Sequence, residues 1–113
     1  MKPPLELLQG TLDLLILHAL RAGPSHGYGI ATSIRESSDE RLIIEDKALY
    51  VSLHRMEERE WVSSSWGVSD NNRRAKYYQL TPAGRKVLRQ KTSDWSAYVQ
   101  AVFGVLNPSG EAS

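Results

Sequence analysis

Three helical segments, a hairpin with a basic tip and one long final helix follow one another in this sequence, and that order predicts a mostly α (α+β) fold. Three observations carry the prediction. Apolar residues recur at three- and four-residue spacings in four separate segments. Between them, residues 61–80 change to strand-like runs around a polar turn, Ser69-Asp70-Asn71-Asn72. Thr81-Pro82 then marks a helix start, with no further proline until Pro108.

The first helix is expected over residues 5–21, before the Gly23-Pro24 break. Leu8, Leu12, Leu15, Ile16 and Ala19 form one stripe, and Leu14, Leu17 and Leu20 widen it. A helix this apolar needs burial on more than one side, either within a core or between a core and a second chain. The second helix is expected to begin at Ser25, a good N-cap, and to run to about Ser37. His26-Gly27-Tyr28-Gly29 lacks the spacing and the preceding strand of a phosphate loop, so its glycines are read as sites of close packing.

The third helix is expected to start after Glu45 or Asp46 and to end near Glu60. Leu49, Leu53 and Met56 share one face; Lys47, Val51 and His54 lie opposite, with Tyr50 and Arg55 at the edges. A cation, a histidine and apolar groups together on an outer face suggest a surface that meets something. The hairpin follows, with strands over Trp61–Val68 and Lys76–Leu80 and with Arg73 and Arg74 near its tip. Lys76, Tyr77 and Tyr78 alternate, so one of the two tyrosines is expected to pack inward.

The fourth helix is expected over residues 82–106, about 37 Å of helix. Its apolar positions are Leu88, Trp95, Tyr98, Val99, Val102, Phe103 and Leu106. Its cations, Arg85, Lys86, Arg89 and Lys91, lie only in the first half. Residues 1–81 thus read as a winged helix-turn-helix and residues 82–106 as a C-terminal dimerisation helix; residues 107–113 read as a disordered tail. With Leu8 and Leu12 of the first helix, that apolar set is the expected homodimer interface.

Composition bounds the function. The 113 residues suffice for one domain, 41% of them hydrophobic and 24% charged. There is no cysteine, so disulfides and thiolate metal sites are excluded. No membrane span and no signal peptide are expected, and the chain reads as cytoplasmic. His18, His26 and His54 share no metal-ligand spacing, and Ser25 beside His26 is better read as a cap than as a nucleophile. Neither a catalytic residue, a metal nor a cofactor is expected.

Net charge is only +1, but its distribution is uneven. Seven basic residues and no acid fall between Asn71 and Lys91. A local basic stripe matters more for phosphate contact than the sum. The expectation is therefore duplex DNA as partner. Lys47, Val51 and His54 are assigned to base edges, Tyr50 and Arg55 to the sugar–phosphate backbone, and Arg73, Arg74 and Lys76 to phosphates through the wing. The alternative is a winged-helix dimer serving as a small-molecule or protein interaction module without DNA binding.

Several blocks resemble one family, in order. They are Gly10-Thr11-Leu12-Asp13-Leu14-Leu15-Ile16-Leu17, Gly23-Pro24-Ser25-His26-Gly27-Tyr28-Gly29-Ile30, Leu49-Tyr50, Leu53-His54-Arg55-Met56-Glu57-Glu58, and the run from Arg73 to Arg85 through Tyr77-Tyr78-Gln79-Leu80-Thr81-Pro82. They are similar to the PadR family of bacterial transcriptional regulators, in its short-C-terminus subgroup, and the resemblance spans about residues 8–106. It implies a homodimer joined through the last helix, repression at a pseudo-palindromic promoter site and, in some members, release by a small molecule.

The sequence also departs from the family. Lys47-Ala48-Leu49-Tyr50-Val51 stands where the family usually has Gly-Ser-Leu-Tyr-Pro, which puts the usual operator in doubt. Glu60 stands where the family favours glycine; a positive φ there would strain it by about 1 kcal/mol. Trp95, in Ser93-Asp94-Trp95-Ser96, falls where drug-responsive relatives stack planar aromatic effectors, although Val99 replaces their acidic residue one turn later. Ligand stacking and interface packing are the two readings of Trp95.

Overall fold

The structure, a computed structural model, describes residues 3–8 and 10–107. The elements run α1 (Thr11–Ala19), β1 (Ser25–His26), α2 (Gly27–Ser37), α3 (Asp46–Glu58), β2 (Val62–Val68), β3 (Arg74–Leu80) and α4 (Pro82–Leu106). The strands form one antiparallel sheet in the order β1-β3-β2.

α1 is shorter than its apolar pattern predicts. It begins at Thr11 because Gly10 adopts a left-handed conformation, φ 86°, that ends helical continuity toward the N-terminus. Residues 3–8 instead run beside the α2–α3 loop, where Leu5 N donates to Arg41 O at 2.8 Å. The second correction concerns Ser25. It is not the cap of α2; it lies in β1, opposite Tyr78, while His26 pairs with Tyr77. His26 is the cap, its ring Nδ1 accepting from Gly29 N at 3.0 Å. The sheet therefore has three strands where the sequence suggested two.

The core collects one face from each helix and the inward side of the sheet. Ile16, Leu17, Leu20, Ile30, Leu49, Leu53, Met56 and Val62 are fully buried. Full burial of such side chains contributes about 1.5–3 kcal/mol each, against a comparable entropy cost of ordering the chain. Tyr78 packs inward and Tyr77 does not, which settles the alternation of β3. Burial also raises the Tyr78 phenol pKa. The expected tail from residue 108 lies outside the described residues; Asn107 N still donates to Phe103 O at 2.8 Å.

α4 leaves the wing through a tight joint. Thr81 Oγ1 accepts from Gly84 N at 2.9 Å and donates to Glu60 O at 2.7 Å. Thr81 N donates to Trp61 O at 3.1 Å. A Cβ on buried Gly84 would collide with that same Trp61 carbonyl, so only glycine fits. Trp61 is half-buried and has two cations over its ring, with Arg59 5.2 Å and Lys91 5.6 Å from the ring centroid.

Candidate nucleic-acid interface

The outer face of α3 is open. Lys47, Tyr50, Val51 and His54 are all exposed, and Val51, an apolar side chain, is 56% exposed. Leu49, Leu53 and Met56 hold the opposite face in the core, as their spacing predicts. Tyr50 also marks the packing of α2 on α3: its ring covers Gly27, where any Cβ would meet the phenol. His54 Nε2 lies 3.7 Å from Glu58 Oε2, one turn on.

Arg55 is set apart from this group. Its Nη2 lies 2.5 Å from both carboxylate oxygens of Asp13 on α1. Asp13 is 14% exposed and Arg55 39%, so the pair is half-buried and fastens α3 to α1. Charge-assisted bonds of this kind are the stronger class of hydrogen bond. Asp13 escaped the sequence reading; its only signal was one acid within an otherwise apolar helix.

The C-terminal end of α3 is fastened to the hairpin. Ser64 Oγ donates to Glu57 Oε2, and Lys76 Nζ lies 3.4 Å from Glu57 Oε1. The Ser64 hydrogen bond lowers the Glu57 pKa most, and the Lys76 charge adds to it against the opposing effect of burial. Lys76 is thus half-buried and engaged, whereas Arg73 and Arg74 are exposed at the tip. Glu60, between α3 and β2, has φ 61°. The strain expected of a glutamate at that position is therefore present.

Trp66 was also passed over in the sequence. It lies in β2 opposite Lys76, is 60% exposed, and carries the Arg74 guanidinium 4.5 Å from its ring centroid. Strand alternation puts it on the Ser64 side of the sheet, a signal that was available.

The expected dimer residues divide into two groups. Leu12 and Leu88 pack against the core of their own chain. Leu8, Tyr98, Val102, Phe103 and Leu106 are exposed, and Trp95 and Val99 are half-buried. Trp95 stacks on Tyr98 with centroids 6.0 Å apart. An open groove of about 560 Å³ lies between α1 and α4, lined by Leu8, Leu14, Lys91, Asp94, Trp95 and Tyr98. Among the described residues, no group of three or more His, Asp or Glu side chains could hold a metal ion, and no helix is long and apolar enough to cross a membrane.

An exposed helix face beside a basic hairpin, on a three-helix core, defines a winged-helix DNA-binding protein. The profile of the transcriptional regulator PadR-like family matches residues 16–90, and the chain belongs to that family. It is a family of transcription regulators and not of enzymes. Solved structures agree. A transcriptional regulator from Clostridium thermocellum superposes with a TM-score of 0.76 at 33% identity, over 83% of this chain and 88% of that one. A PadR family transcription regulator from Clostridium difficile gives 0.74 at 30% identity, over 86% and 99%. A protein from Streptococcus mutans gives 0.77 at 27% identity, over 100% of both chains.

Two sequence relatives add breadth. An uncharacterised protein from Lysinibacillus sphaericus is 29% identical over 92 residues, 80% of this chain and 84% of that protein. A 37.1 kDa protein from a transposon of Streptomyces fradiae is 33% identical over 91 residues, and the chain spans 25% of its length.

Proposed function

We propose that this chain is a homodimeric, sequence-specific repressor that reads a pseudo-palindromic promoter site. The observation that carries the reading is the outer face of α3, where Lys47, Val51 and His54 are exposed side by side next to a hairpin that presents Arg73 and Arg74. In this reading α3 enters the major groove. Lys47 donates to a base or phosphate oxygen, Val51 meets a thymine methyl, and His54 reaches a base edge. Tyr50 contacts the sugar–phosphate backbone, and the wing arginines grip phosphates without reading sequence. Arg55 and Lys76 brace this surface through Asp13 and Glu57; any phosphate contact they make comes second to those partners.

The dimer rests on the distal half of α4. From residue 95 to residue 106 it carries no charge, and it exposes Tyr98, Phe103 and Leu106. Two copies of that stripe would bury each other, and a two-fold dimer matches a two-fold DNA site. The groove beside Trp95 supports a planar aromatic effector as the releasing signal. Asp94 lines the same groove, its carboxylate accepting from Gln90 Nε2 at 2.9 Å, while Val99 is apolar.

Selection of bound duplexes from a random pool tests the reading. An enriched inverted repeat is expected. Recovery of unenriched sequence, or no retained duplex, would sink it and leave an interaction module without DNA binding. Quenching of Trp95 by planar aromatics, with Trp61 and Trp66 replaced by Phe, tests the effector; unaltered emission removes it.

A further inference from the structure

Three cations and an indole lie on or near the wing, but only two of them are joined face to face. Arg74 stacks on Trp66 at 4.5 Å. Trp66 and Arg74 are diagonal neighbours across the strands: Trp66 pairs with Lys76 and Val68 with Arg74. Both side chains therefore stand on one side of the sheet. Val62, Tyr78 and Leu80 of that same side are buried in the core, and Ser64 and Lys76 reach Glu57 of α3. Beyond them, about 7 Å further along the strand, the same side emerges from the core with Trp66, Val68 and Arg74 exposed. That side of the sheet is tied to α3 through Glu57, at the C-terminal end of the helix.

A tryptophan 60% exposed is costly to leave in water. The charge around it suits a polyanion: Arg73 and Arg74 are the exposed cations of the hairpin, Lys76 is already paired with Glu57 of α3, and Asp70 is the hairpin's one acid. The indole also restricts the guanidinium. A guanidinium held over the indole gives up less freedom when it binds.

We propose that Trp66 and Arg74 act as one unit, a platform-held guanidinium that clamps a backbone phosphate while the exposed indole packs on the adjoining deoxyribose. The occupant is duplex DNA flanking the groove that α3 enters, so the inference rests on the DNA-binding reading above. Trp66 is the positioning residue of the pair, and Arg73, which lies over no ring among the described residues, contributes less.

The experiment uses a random-sequence 30-base-pair duplex, because phosphate contacts do not depend on sequence. With Trp61 and Trp95 replaced by Phe, and folding checked by circular dichroism, Trp66 is the sole indole. DNA is expected to shift its emission and to shield it from acrylamide. Trp66→Ala should weaken binding about two- to fivefold, while Trp66→Phe retains most of the affinity. Arg74→Ala should flatten the salt dependence by about 0.9 in log–log slope, and Trp66→Ala should do so in part although it removes no charge. The double variant should lose little beyond Arg74→Ala, because the two side chains form one unit.

If the protein with Trp66 as its sole indole binds the duplex but Trp66 stays equally open to acrylamide, or if the two substitutions add independently, the inference fails and the DNA-binding reading stands. If the wild-type chain binds neither this duplex nor any selected one, both fail together.

Discussion

The outer face of α3 and the distal half of α4 are both bare, and both expose large apolar side chains. On α3 these are Tyr50 and Val51, set between Lys47 and His54. On α4 they are Tyr98, Val102, Phe103, Val105 and Leu106, with no charge among residues 95–106. Charge separates the two surfaces more than hydrophobicity does. The first can neutralise phosphates and still touch base methyl groups. The second can be desolvated without stranding an ion, which suits a second copy of the same stripe. The two also differ in support. α3 is tied to α1 by Asp13–Arg55 and to the hairpin by Glu57 with Ser64 and Lys76, so its face is presented in one orientation.

The sharpest way to break the comparison is Phe103→Asp. It should raise the dimer dissociation constant about a hundredfold or more, because a carboxylate would be buried unpaired. An intact dimer in sedimentation would show that the distal stripe is not the interface. Next in size is the joint replacement of Lys47, Val51 and His54 by Ala. Each good base contact contributes about 1–3 kcal/mol of discrimination, so selected and random duplexes should become nearly equal in affinity at matched salt. Retained preference would place base reading elsewhere.

The bracing gives two smaller tests. Glu57 has a lowered pKa in the fold, so its contribution is present above the ordinary carboxylate range and is lost as pH falls through the folded value. Glu57→Gln should therefore lower Tm by about 2–5 °C at pH 7, and the gap to wild type should close in acid. A gap unchanged down to pH 3 would mean that the charge on Glu57 does not matter. Smallest is Glu60→Gly, expected to stabilise by about 0.5–1 kcal/mol by removing strain at φ 61°. A loss of stability would show that the Glu60 side chain contributes more than its backbone strain costs.

Local signals were the legible ones. The bounds of α4, its Thr81 cap and the two faces of α3 followed from spacing within a few turns. What spacing could not carry was any partner far along the chain. β1 has two residues and exists only because Tyr77 and Tyr78 lie beside it, some fifty positions on. Arg55 looked like an outward cation because its acid is 42 positions away. The start of α1 was misread for the same reason: the backbone of Leu5 is claimed by Arg41, and an apolar stripe does not reveal that. Trp66 was readable by alternation, but its exposure depends on where the core ends, which is a property of the whole fold.

The joint between the wing and α4 bears on the DNA itself. Thr81, Gly84 and the Trp61 carbonyl lock the direction in which α4 departs. In a dimer built on α4, that direction and the crossing of the two long helices set how far apart the two copies of α3 stand. The joint then acts as a ruler, and its graduation is the number of base pairs between the half-sites. A residue larger than glycine at position 84 would force the Trp61 carbonyl and the start of α4 apart, shifting that direction without replacing any side chain that faces the DNA.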